Sequence, residues 1–203
     1  MEQLTPQKNR MPIKTVAKIG ILGAIATVLM LFEIPLWFAP SFYEIDLSEV
    51  VVMIGGFALG PIAGVFIELV KILLNLLLNG TVTAGVGELA NFVIGCAYIL
   101  PAAILYRRKK TFKSAILGMV IGTVSITVVG AVMNLYVMLP AYVALAGFPM
   151  EALIGMGSAV NPAIDSVGTL VLFATVPFNL IKGIITSLLV GILYKRLSPI
   201  LHK

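Results

Sequence analysis

A chain of 203 residues that is 60% hydrophobic and 11% charged stands far from soluble domains, in which charged residues make up about 25%. Several apolar runs are long enough to cross a hydrocarbon core of ~30 Å. They lack the period-two alternation of barrel strands, so the expected fold is an all-α integral membrane protein, one membrane domain over 1–203 with no room for a separate soluble domain. The net charge of +5 does not indicate nucleic acid as a partner, because the basic residues lie where topology signals lie.

Six spans are predicted, at about 14–36, 47–59, 61–78, 86–106, 112–145 and 168–196. Lys8, Arg10, Lys14 and Lys18 precede the first, and Ala24-Ile25-Ala26 imitates a signal cleavage site. The apolar run continues through Phe32, so the segment reads as a retained helix. The second span is short and ends at the turn signal Gly60-Pro61; the third stops at Asn79-Gly80. A kink or break is expected near Pro140 in the fifth. Asn161-Pro162 and Asp165 are expected to begin and cap the sixth.

Twelve of the fourteen basic residues fall in the N-terminal tail, the Arg107–Lys113 connection and the C-terminal tail. Six spans put all three on one side, which makes both termini cytoplasmic; five would split them. The other side receives Glu33, Glu44, Asp46, Glu49, Glu88, Glu151 and Asp165. On the first helix, Gly20 with Ala24 and Gly23 with Thr27 form small-xxx-small pairs that permit close helix contact. Internal packing and docking of another membrane subunit are both open to them.

Lys71 and Lys182 have no topological role, and an intramembrane charge needs a partner or a wet cavity. Glu68, Lys71, Asn75 and Asn79 follow spacings of three, four and four, one helical face. Glu68 and Lys71 can pair there, either structurally or beside a ligand. Lys182 has no acid within one turn. Asn179 shares its face, and the pair offers amide and ammonium groups that suit a ligand rich in carbonyl and imide groups; a carboxylate from another element is the alternative partner. Phe178 and Trp37 are candidate apolar cover. The segment from Asn79 to Asn91 is rich in glycine and threonine, so its backbone can approach a ligand closely. Glu88 complements a helix N-terminus, and Asn134 is either interhelical glue or a ligand contact. Cys96 reads as a small buried side chain and His202 as a solvated tail residue. No P-loop, G-x-S-x-G, H-E-x-x-H or cysteine cluster occurs, so neither catalysis nor a metal is expected.

The segments FEIP from Phe32, EIDLSEV from Glu44, NGTVTAGVGELANFVIG from Asn79 and VPFNLIKGIITSLLVGILYKRLSPILHK from Val176 resemble the riboflavin-specific substrate-binding (S) components of energy-coupling-factor vitamin transporters. The resemblance covers nearly the whole chain. It implies a six-helix component in the plasma membrane of a prokaryote that binds riboflavin near the extracellular face, as transported ligand rather than cofactor. The partners it implies are a coupling transmembrane subunit and two cytoplasmic ATPases. It assigns the ring edge of riboflavin to Asn134, Asn179 and Lys182. Asp46 and Leu47 in one loop and Thr81, Thr83, Ala84 and Gly85 in another then close around the ligand. The family's small-residue docking motif falls on Gly20 and Ala24. A different vitamin or nucleobase-like ligand, or a stand-alone secondary transporter with Glu68 and Lys71 coupling ions, are the competing readings.

Overall fold

The computed structural model describes residues 11–201, without the side chains of residue 195 and residues 197–201. Lys8, Arg10, His202 and Lys203, which figured in the charge pattern and the motif search, lie outside the described residues. In hydrocarbon every backbone N–H and C=O must be satisfied within the chain, so apolar runs fold as helices. They are α1 (Ile13–Met30), α2 (Ser48–Leu59), α3 (Pro61–Asn79), α4 (Val86–Arg108), α5 (Phe112–Met133), α6 (Leu139–Ala144), α7 (Met150–Val160), α8 (Val167–Leu170) and α9 (Val176–Leu201). π-helical turns at Asn134–Met138 and Val171–Thr175 join α5 to α6 and α8 to α9. Among the described residues, five stretches are long and apolar enough to cross a membrane: α1, α3, α4, Phe112–Ala144 and Val167–Tyr194.

Several expectations are corrected. The first helix stops at Met30 rather than near residue 36. Pro35 disfavours helical backbone at the residue before it, and Ile34–Pro35 (β1) pairs antiparallel with Glu44–Ile45 (β2), Ile34 opposite Ile45. The helix does not break at Pro140. The helix runs on through it from Phe112 to Ala144, and the irregularity expected near it is the π turn Asn134–Met138, which ends two residues before it. The last span is started by Ser166, not by Asn161 or Asp165. Ser166 Oγ accepts from Thr169 N at 3.3 Å while Thr169 Oγ1 accepts from Ser166 N at 2.9 Å, a reciprocal cap. Asn161 instead follows the end of α7, a helix in the stretch between the predicted fifth and sixth spans.

The rings of Phe57 and Tyr106 lie 4.6 Å apart, and Tyr194 meets both Tyr106 and Phe112. These contacts gather the ends of α2, α4 and α9 and the start of α5 at one pole of the bundle. The ends of α1 and α3 and the starts of α2 and α4 meet at the other, where a polar cavity opens. At 12 residues α2 is about 18 Å long; it starts beside Asp46 on the cavity wall and ends at the Phe57–Tyr106 pole. Val52, Met53, Gly55, Gly56 and Phe57 are buried in the bundle, so most of α2 packs against protein rather than lipid.

Candidate functional site

The cavity has a volume of about 520 Å³. Its walls are the places where helices end, because there backbone and polar side chains face one another instead of lipid. The segment between α1 and α2 contributes Glu33, Phe42, Tyr43, Glu44 and Asp46; α3 contributes Ile72, Asn75 and Asn79. Thr81, Val82 and Thr83 close one side with Glu88 and Asn91 of α4, and Asn134, Met138, Tyr142, Phe178 and Lys182 close the other.

Lys182 is buried and donates to Asp46 Oδ2 at 3.1 Å. Asp46 Oδ1 accepts from Ser48 N at 2.8 Å, which anchors the carboxylate to the first turn of α2. Burial alone raises a carboxyl pKa, but the Lys182 ammonium, with Lys71 and Ser48, holds Asp46 well below the usual range. Glu33 moves the opposite way. Although Glu33 is exposed, partial desolvation, a hydrogen bond with Glu44 and the charges of Glu44 and Asp46 push its carboxyl up to about 7. An ammonium has three donors, so Lys182 can hold Asp46 and still offer N–H groups to the cavity.

Asn134 opens the first π turn. Its Nδ2 donates to Gly130 O at 3.0 Å, and its Oδ1 accepts from Tyr43 OH at 3.1 Å. Tyr43 OH also shares a hydrogen bond of 2.5 Å with Thr175 Oγ1 in the second π turn. One tyrosine from the loop thus ties both irregular turns together. π turns recur at functional sites because they re-aim the side chains that follow them. Asn179 is buried and does not line the cavity; its Nδ2 donates to Thr175 O at 2.9 Å. Gly130 makes room for it, since a Cβ there would lie 2.6 Å from Asn179 Nδ2.

Of the sequence candidates, Asp46, Thr81, Thr83, Asn134, Phe178 and Lys182 meet at the cavity. Leu47, Ala84, Gly85 and Asn179 flank it without lining it. Trp37 is 90% exposed and away from the cavity, so it is not the apolar cover expected of it. Phe178 is on the wall, its ring centroid 5.0 Å from that of Tyr43. Sequence reading missed Phe42, Tyr43 and Tyr142 and gave Glu33 and Glu44 only a topological role. The available signal was an aromatic pair beside Glu44-Ile45-Asp46 in a segment too polar for a span.

Lys71 has two partners rather than the one expected. Its Nζ lies 2.8 Å from Glu68 Oε1 and 2.9 Å from Glu49 Oε1, with all three side chains at most 1% exposed. Gly95 of α4 lets the acids in, since a Cβ there would collide with Glu68. One turn further along the same face of α3, Asn75 reaches the cavity with its Nδ2 unpartnered among the described residues. The two small-residue pairs of α1 separate: Gly23 and Thr27 are buried, Gly23 against Val70 of α3, while Gly20 and Ala24 are exposed.

Residues 14–194 match the family model of ECF transporter substrate-specific components. The chain belongs to that family. An S component is a transport subunit and not an enzyme, and this one is a multi-pass prokaryotic membrane protein. The riboflavin transporter RibU of Staphylococcus aureus (strain TCH60) is 33% identical, covering 99% of this chain and 97% of that one. The riboflavin transporter FmnP of Bacillus subtilis (strain 168) is 30% identical, covering 93% and 94%. A solved structure described as the S component of a bacterial ECF transporter superposes with a TM-score of 0.72 at 34% identity, covering 94% of this chain and 98% of that one.

Proposed function

We propose that this S component binds riboflavin from outside the cell and delivers it through an ECF transporter. The observation that carries the reading is the cavity, in which one ammonium, amide groups and four aromatic rings converge at the acidic pole of the bundle. Riboflavin presents a flat apolar ring system with an imide and carbonyl edge and a polyhydroxyl chain. Lys182 and Asn134 meet the edge and Asn179 supports them from behind, while Phe42, Tyr43, Tyr142 and Phe178 cover the ring. The Thr81–Gly85 turn and the Asp46–Leu47 loop close over it, and Glu88 and Asn91 accept from the hydroxyls. The likeness to riboflavin transporters over nearly the full length supports the choice of ligand.

The same reading takes the chain as one domain crossing the membrane six times, α2 being the sixth crossing. The course of α2 from the cavity wall to the opposite pole and the basic residues at that pole support this, and they make both termini cytoplasmic. The exposed Gly20 and Ala24 form the face for the coupling subunit, which connects the component to two cytoplasmic ATPases.

Purified protein should quench riboflavin fluorescence at a one-to-one endpoint. Lys182→Ala and Asn134→Ala should each weaken binding by about 1–3 kcal/mol, the cost of a lost buried polar contact. Absence of quenching by the wild-type protein, or unchanged affinity in both variants, rejects this site.

A further inference from the structure

A second cavity, about 730 Å³, is a groove between α5 and α9 on the outer face of the bundle. Phe112, Ile116 and Val124 form one wall and Ile184, Leu188 and Ile192 the other. The floor carries Thr123 and Ser187, but both hydroxyls are already engaged. Thr123 Oγ1 donates to Met119 O at 2.9 Å, and Ser187 Oγ pairs with Tyr98 OH at 2.9 Å. The groove therefore offers an occupant apolar contact and no free donor, which suits a hydrocarbon chain and not the ligand of the polar cavity.

Each wall runs into a cation at the same pole. Lys113 lies three residues before Ile116 on α5, and Arg196 lies four residues after Ile192 on α9, spacings that keep each on its wall. The contact between Phe112 and Tyr194, with centroids 5.3 Å apart, holds these two ends together. Arg107, Arg108 and Lys109 stand exposed at the adjoining end of α4. Among the described residues, the salt bridges are confined to Lys71 and Lys182, so Lys113 and Arg196 carry uncompensated charge.

We propose that this groove binds one anionic phospholipid, its acyl chain along α5 and α9 and its phosphodiester between Lys113 and Arg196. Basic residues beside a groove between membrane helices select acidic headgroups in this way. A zwitterionic lipid brings its own ammonium and gains less.

Native mass spectrometry of the full chain tests this, with phosphatidylglycerol and phosphatidylcholine of identical acyl chains. The wild-type protein should retain one phosphatidylglycerol in preference to phosphatidylcholine. The Lys113→Gln/Arg196→Gln double variant should lose that preference by about tenfold. Gly191→Leu should lower retention of both lipids by filling the groove; a Cβ at Gly191 has nothing within 4 Å, so the fold accommodates it. Flavin quenching in these variants should equal wild type and reports correct folding. Equal retention of the two lipids, or a preference that survives the double variant, overturns the proposal. So does a groove that stays lipid-free in the isolated chain and is covered only when the coupling subunit is added.

Discussion

Two lysines sit inside this bundle, and they solve the same problem differently. Lys71 is sealed between Glu49 and Glu68, with all three side chains at most 1% exposed. Lys182 has one partner, Asp46, and both stand on the wall of the cavity at 10% and 7% exposure. An ammonium taken from water loses several kcal/mol of solvation that only good pairing restores. Lys71 recovers it entirely from protein. Lys182 recovers part from Asp46 and keeps donors facing the cavity, so the first holds helices together and the second is free to hold something else.

The largest expected effect breaks the sealed cluster. Lys71→Met leaves two buried carboxylates facing each other, and removing one member of a buried pair costs about 3–5 kcal/mol. Thermal unfolding in detergent should show that loss, with flavin affinity falling only as folded protein is lost. A variant with wild-type stability means the cluster is not the brace its geometry indicates.

Lys182→Ala should do the reverse: flavin affinity falls by about 1–3 kcal/mol, with a smaller change in stability. The contrast sharpens in a double-mutant cycle with Asp46→Asn. If Asp46 acts by orienting Lys182, the two losses in affinity should be less than additive. Fully additive losses in titration calorimetry indicate that each residue contacts the ligand independently.

The smallest effect is expected at the cavity mouth. Glu33 holds its proton up to about pH 7 in the folded protein, against an ordinary carboxyl pKa of 4.5. Its proton is bound more tightly folded than unfolded, so its contribution is fullest below pH 4.5 and declines as pH rises to about 7, then levels off. Glu33→Gln should flatten that part of the stability profile. Identical slopes for wild type and variant remove Glu33 from the account. Lowering pH far enough to protonate Asp46 acts with the opposite sign, because its depressed pKa stabilises the fold above the ordinary carboxyl range.

How far the sequence could be read follows the same division. Two of the three members of the Lys71 cluster lie in one helix, so the spacing of Glu68 and Lys71 exposed them. Glu49 was out of reach because it arrives from α2 across a tertiary contact. Asp46 and Lys182 are 136 positions apart, and periodicity says nothing about such a pair; only the missing local acid showed that Lys182 needed a partner elsewhere. Helix ends near glycine and asparagine, at Leu59 and Asn79, were legible because turn chemistry is local. Met30 was not, since the run stays apolar through Leu31 and Phe32 while the β1–β2 pairing draws the chain away. The π turns were invisible, because five ordinary residues such as Val171–Thr175 carry no compositional mark of an altered hydrogen-bond register.

That second turn has a geometric consequence. An α-helix advances about 100° per residue, and a π turn takes in one residue more than the α-helical turn it replaces. Everything in α9 after Thr175 is dialled round by roughly that angle relative to α8. Lys182 meets Asp46 only at this setting of the dial. Shortening Val171–Thr175 by one residue would leave Lys182 in the protein, yet swing it away from Asp46 and the cavity without changing a single functional group.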